Sequence, residues 1–281
     1  MEKYATYKKK KEGYVDVHET VKTIEKIAAA HLHEIDKRAR ALSRYGESIV
    51  GTMARLQNLT AYLSLAKKAE VPKRDLLVVV TGDKGLVGDA WRRLFSLYDE
   101  SNRQDVLVIG KQGQRYIPAT LAHVRHHSFS DRLPSSEEIS VLNQTLRTYI
   151  ENGTYATITT LHLSAESVID LKPVKKQLLP LFEGDVPTQE ADRVVSGYPI
   201  VEGSIFSIKE KLLEKYMNSR LEQTIIETAV AEYSARTIAM EHAAAKTEEM
   251  LARLSLVYLR DRRHSETEKQ LERFAANKIS T

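Results

Sequence analysis

From Ser204 to Thr281 the chain has neither glycine nor proline, and all seven prolines fall between Pro72 and Pro199. A stretch this long without a helix breaker predicts one long helix rather than several ordinary ones. The segment from Val15 to Val71 holds only two glycines, Gly46 and Gly51, and predicts a second. Apolar residues recur three or four apart in both. The first segment has Val21, Ile24, Ile27, Ala28, Leu32, Ile35, Ala39, Leu42, Ile49, Met53 and Leu56; the last has Ile205, Ile208, Leu212, Tyr216, Leu221, Ile225, Ala229, Met250, Leu254, Val257 and Tyr258. At 1.5 Å per residue these helices would reach on the order of 80 and 110 Å, more than a compact domain of this size can cover. Neither stripe could stay in water alone. An antiparallel coiled coil, with the C-terminal helix projecting beyond its partner, buries both. Alanines in the stripes (Ala28 to Ala30, Ala235, Ala239, Ala243, Ala244) fit either close helix approach or simple helix propensity.

The intervening residues have a different grammar. "DLLVVVT" (75–81), "DVLVIG" (105–110) and "YATITTLHL" (155–163) are short β-branched runs, and "SVIDLKPVKKQLLPL" reads as a strand near an edge. Between them lie the amphipathic "LVGDAWRRLFSLYDE" and "SSEEISVLNQTLRTYIENG", a helix with a serine cap, an acidic first turn and a glycine stop. Alternating strands and helices predict a small Rossmann-like α/β domain with a largely parallel sheet, inserted between the two terminal helices. The expected division is a basic tail over 1–14, a coiled-coil helix over 15–71, the α/β domain over 74–190, a linker over 191–203 and the C-terminal helix over 204–281. Lys8 to Lys11 are expected to form a frayed, solvated tail.

Composition closes several routes. There is no cysteine, which removes disulfides, thiolate metal sites and thiol catalysis. A net charge of +4 on 281 residues gives no case for nucleic acid. No apolar run reaches the roughly 20 residues of a membrane span, so no direct insertion is expected. The loop "TGDKGLVGD" after the first strand has Gly82, Gly85 and Gly88 but lacks the lysine and hydroxyl of a P-loop, and Asp83 and Asp89 would repel a phosphate. Asp83 is expected instead to cap the next helix. His123, His126 and His127 lack a carboxylate at ligand spacing, and His31 and His33 point to different faces of their helix. No catalytic, cofactor or metal residues are assigned.

The stretch "ETAVAEYSARTIAMEHAAAKTEEMLARLSLVYLRDRR" (227–263) is similar, without a gap, to the pattern E-S-x-A-S-E-x-x-A-R-M-x-A-M of the γ subunit of rotary ATP synthases and its continuation L-x-L-x-Y-N-R-x-R-Q. Glu227, Glu232, Ala235, Arg236, Ala239, Met240, Leu254, Leu256, Tyr258, Arg260 and Arg262 fall on matching positions. Thr81, Asp83, Lys84, Gly85, Leu86 and Gly88 resemble the family's T-x-D-[RK]-G-L-C-G, and "KKQLLPL" and "VKTIEKIAAAH" are weaker matches. The chain departs from the family at Val87, Asp89, Trp91, Lys246, Leu259 and Arg263. Its end, "HSETEKQLERFAANKIST", keeps only Thr267 and Glu272 of the usual terminal pattern. Val87, Asp89 and Trp91 imply an unusual neighbour at that surface.

The resemblance implies a divergent γ subunit, non-catalytic by itself: the central rotor shaft of an F-type ATP synthase or ATPase, coupling ion flow to ATP synthesis or hydrolysis. Its implied partners are the α and β subunits of the hexamer, the ε subunit and the membrane c-ring, with no cofactor. Its implied place is peripheral, on the cytoplasmic side of a bacterial cell membrane. Glu232, Arg236, Arg260, Arg262, Thr267 and Glu272 are the implied β-subunit contacts. The alternatives are a γ-like shaft or scaffold of a specialised F-type-like ATPase not used for ATP synthesis, and a nucleotide-binding α/β enzyme with helical extensions.

Overall fold

The computed structural model describes residues 3–55, 74–99, 104–117, 123–129, 133–152, 154–165, 170–179 and 204–279. The expected linker over 191–203, the ends of the first helix and of the α/β domain (56–71 and 180–190) and the stop glycine Gly153 lie outside the described residues. Two long terminal helices, α1 (Lys3–Arg55) and α4 (Ile205–Ile279), pack together and flank a mixed α/β domain. The helix α1 starts at Lys3, not Val15. Lys8 to Lys11 are solvated but helical, since lysine and glutamate are good helix formers and Gly13 alone costs only about 1 kcal/mol.

The chain divides into two compact units, one of Met1–Ala29 with Arg236–Thr281 and one of Ala30–Ala235. In the first, His18 Nδ1 lies 3.0 Å from Thr247 Oγ1. The Thr247 hydroxyl already donates to the Ala244 carbonyl, so it accepts here and His18 donates from Nδ1. In the second unit, His31 stacks obliquely on Tyr233, Arg38 NH2 donates to Glu222 at 2.7 Å, and a Cβ on Gly46 would stand 3.2 Å from Ser219 Oγ. Partners that descend on one helix as they rise on the other make the pair antiparallel, and Gly46 sits where the helices approach closely.

Among the described side chains of α1 the buried ones are Ala28, Ile35, Leu42, Ile49 and Val50, the first four spaced by seven. That is a coiled-coil seam, narrower than the stripe read from sequence. It corrects Ile27, which is 52% exposed because the neighbouring Ala28 takes the inward position. In the second unit α4 is enclosed on every side, from Ala231 to Ala235 without a break. There Ala231 and Ala235 pack with the cluster of Val87, Trp91 and Leu94, and Tyr216, Met217, Leu221 and Ile225 pack with Ile49, Val50 and the other sheet face.

The α/β domain comprises β1 (Arg74–Val80), α2 (Ala90–Phe95), β2 (Asp105–Ile109), β3 (Val124–His127), α3 (Ser136–Glu151), β4 (Tyr155–Ala165) and β5 (Leu171–Leu179). The sheet order is β3-β2-β1-β4-β5. The first four strands are parallel and β5 runs antiparallel at the edge. The only proline within a described strand, Pro173, lies on this edge, where a missing N–H is tolerated. At the start of α3, Ser135 Oγ accepts from the Glu138 N–H while Glu138 Oε2 accepts from the Ser135 N–H, a reciprocal capping box.

Leu221 is fully buried where α4 meets the sheet. Leu221→Ala is expected to cost about 2–5 kcal/mol of unfolding free energy in a denaturant titration. A loss under about 1 kcal/mol would mean that α4 does not share the core of the domain.

Candidate functional site

The loop after β1 is stitched to the loop after β2. Thr81 donates from both its N–H (2.8 Å) and its Oγ1 (2.9 Å) to the Ile109 carbonyl, and its Oγ1 accepts from the Gly113 N–H. The Gly82 carbonyl accepts from the Gln112 N–H. Gly110, at φ +94°, tolerates no Cβ because the Thr81 carbonyl fills that space. Asp83 does not cap a helix: its Oδ1 accepts from the Lys111 N–H at 2.9 Å, which ties the two loops across the sheet. Asp89 takes the position preceding α2 but makes no capping bond. It accepts from Arg93 Nε at 3.0 Å, and that hydrogen bond lowers its carboxyl from the ordinary range.

Val87 and Trp91 are 5% and 3% exposed and belong to the core. They signal no foreign neighbour at the surface, which corrects that expectation: the β1–α2 turn directs both side chains inward. The loop's outward tip is Leu86, 59% exposed at φ +65°. Among the described residues no three His, Asp or Glu side chains converge on a metal position. His126 and His127 lie on β3, with His127 edge-on to Phe129.

Two of the implied partner contacts sit inside the fold. Glu232 and Arg236 are 7% and 5% exposed, so neither meets a partner's loop without first leaving the interior. Both side chains are buried within the chain by itself, as charged residues seldom are. Glu232 reaches the backbone of Gly82. A third family-matched carboxylate, Glu227, accepts from His162 Nε2 at 3.0 Å and Gln223 Nε2 at 2.9 Å, with Lys176 Nζ at 3.8 Å. Burial pushes its carboxyl up, but the His162 hydrogen bond, the Lys176 charge and the Gln223 hydrogen bond outweigh it and hold the group below its ordinary value. His162 is fully buried on β4. Sequence reasoning passed over it, although a histidine within the apolar run "TITTLHL", in phase with Ile158, was a usable signal.

The other four are exposed on the outer part of α4. Arg262 Nε donates to Glu266 Oε1 at 2.8 Å, and Thr267 Oγ1 donates to the Arg263 carbonyl at 2.9 Å. Arg260 and Glu272 face solvent. Carrying the His18–Thr247 register outward sets Lys3 across from about residue 262. Thr267 and Glu272 therefore lie on the part of α4 past the residues that face the described length of α1. Leu271 and Phe274 are 63% and 73% exposed on it.

A family model described as ATP synthase matches residues 4–272. The chain belongs to the ATP synthase gamma-chain family. It is 26% identical to the ATP synthase gamma chain of Paracoccus denitrificans over 89% of this chain and 90% of that one. Against the gamma chain of Frankia casuarinae it is 28% identical over 83% and 82%. Among solved structures, a chain of the Euglena gracilis mitochondrial ATP synthase (OSCP/F1/c-ring) shares the fold, with a TM-score of 0.66, 18% identity and coverage of 98% and 94%. As a gamma chain the protein has a structural rather than a catalytic role. Family and fold support a γ-subunit-like shaft role in an F-type ATP synthase complex. No described helix of this gamma chain is long and apolar enough to cross a membrane.

A depressed carboxyl contributes stability that is present above its unfolded value, 4.5 for Glu227, and lost as pH falls through its folded value. Glu227→Gln is therefore expected to lower the unfolding midpoint at pH 7, and the deficit should shrink as pH drops below that value. A deficit independent of pH from 7 to 3 would show that the charge contributes nothing.

Proposed function

We propose that the chain is the central rotor shaft of an F-type ATP synthase or ATPase. Its paired helices stand in the bore of an alternating hexamer of α and β subunits, while the α/β domain and the helix ends nearest it bear on the ε subunit and the membrane c-ring. It works peripherally, on the cytoplasmic side of the bacterial membrane. The shaft performs no bond chemistry. Its lack of threefold symmetry makes three otherwise equal catalytic sites differ at any instant, and turning it exchanges their conformations, so ion flow through the ring is coupled to ATP synthesis or hydrolysis.

The observation that carries this reading is the outer end of α4. It exposes Leu271 and Phe274 among charges of both signs, which suits insertion into a sleeve with an apolar lining. Arg260, Arg262, Thr267 and Glu272 are the β-subunit contacts in this reading. Exposed ion pairs contribute about 0–1 kcal/mol each, which favours contacts that form and release as the shaft turns. The divergent terminal sequence favours a second reading in which the same shaft serves a specialised F-type-like ATPase rather than the synthase. The two separate by whether the complex purified with its own operon partners synthesises ATP under an ion gradient.

Reversing Arg260 and Arg262 together to glutamate is expected to weaken hexamer assembly on the order of tenfold or to uncouple ATP hydrolysis from ion transport in a reconstituted complex. Full assembly and full coupling would defeat the assignment of these residues.

A further inference from the structure

Parallel sheets whose strand order reverses at one strand hold their ligands in the crevice beyond the carboxyl ends of the strands at that point. Here the order β3-β2-β1-β4 reverses between β1 and β4, and the cavity of this chain lies one strand over, on the β2 side of β1. Beyond the ends of β1 and β2 lies a cavity of about 410 Å³ whose floor includes Val80, Thr81, Gly82 and Ile109. Its opposite wall is α4, through Ile225, Thr228, Ala229, Glu232 and Tyr233. The chain's own helix thus stands over this cavity.

Glu232 is the residue that makes this specific. Its side chain is on the cavity wall yet almost wholly buried. Its carboxylate lies so near the Gly82 Cα that any Cβ there would collide with both oxygens and the carboxyl carbon. An ionised carboxylate is expensive to bury unless donors compensate it. Lys84 and Lys111 line the same cavity, and the other acid there, Asp83, is committed to the Lys111 N–H. A Cβ at position 82 would displace the Glu232 carboxylate, and it is this close approach that glycine permits here, since Gly82 is not in the left-handed region.

We propose that Glu232 is an internal ligand of the α/β domain: its carboxylate seats against the glycine loop after β1, in the crevice beyond the carboxyl ends of β1 and β2, and locks α4 to that loop. The glycine loop cradles an anion that the shaft helix supplies. The crevice is thereby closed to a nucleotide phosphate, and α4 is held to the sheet by a polar contact in addition to its apolar packing.

The test uses the full chain and inorganic or simple organic anions as probes. Glu232→Ala is expected to lower the thermal midpoint by several degrees. Sodium acetate or formate at roughly 50 mM should restore at least half of that loss, relative to chloride at equal ionic strength, while leaving the wild type unchanged. Gly82→Ala should lower the midpoint in the wild-type background and much less in Glu232→Ala. Its methyl should also abolish the acetate effect there. A carboxylate that merely fills space predicts no selective rescue. Equal stability of Glu232→Ala and wild type, additive effects of the two substitutions, or acetate acting on both backgrounds alike would each overturn the proposal. If Glu232→Ala does not fold, the same cycle is run with Glu232→Gln: a Gly82→Ala deficit that shrinks there supports the lock, and an additive deficit refutes it.

Discussion

Everything in this molecule depends on the mutual cover that α1 and α4 give each other. Two helices of 53 and 75 residues cannot each bury an apolar face against a five-stranded sheet. Paired antiparallel, they need only the narrow seam that Ala28, Ile35, Leu42 and Ile49 mark on α1 at heptad spacing. Within each unit a side-chain pair marks the register of the two helices, His18 with Thr247 in one and Arg38 with Glu222 in the other. Small residues at the contact, Gly46 against Ser219 among them, let the helices lie close.

The α/β domain has the strand order of a ligand-binding fold but applies it to holding a helix. Hydrogen bonds that would otherwise be offered to a ligand from the β1 and β2 loops are consumed between the loops, through Thr81, Gly82 and Asp83. The segment of α4 that crosses the domain is enclosed on all sides, which explains why Ala231 and Ala235 are small and why polar residues such as Thr228, Glu232 and Ser234 are buried beside them. Further out on α4 enclosure gives way to exposure, and the exposed residues are of the kind a partner would cover. A chain held by its own sheet along one part of α4 is consistent with a gamma chain's structural role.

Much of this was legible in the residues because it rests on local rules. The placing of glycine and proline announced the two long helices, the β-branched runs announced β1, β2 and β4, and "SSEE" announced the capping box of α3. What escaped depends on contacts between residues far apart in the chain. Asp83 looked like a helix cap, and only the fold brings the Lys111 N–H to it, 28 residues away. Glu232 and Arg236 looked like outward contacts because a helical stripe assumes one buried face, whereas both side chains are buried within the chain by itself. Trp91 looked like a surface departure until the turn after β1 directed it into the core. His162 and Glu227, 65 residues apart, were invisible as a pair.

The claim on which the account turns is that this chain rotates as a shaft. Because it has no cysteine, a single cysteine at the exposed Leu97 can carry a probe, and the complex purified with its operon partners can be immobilised through the hexamer. Single-molecule recording during ATP hydrolysis should show the probe turning in one direction in three steps per revolution. A probe that stays fixed relative to the hexamer while ATP is hydrolysed would contradict the account.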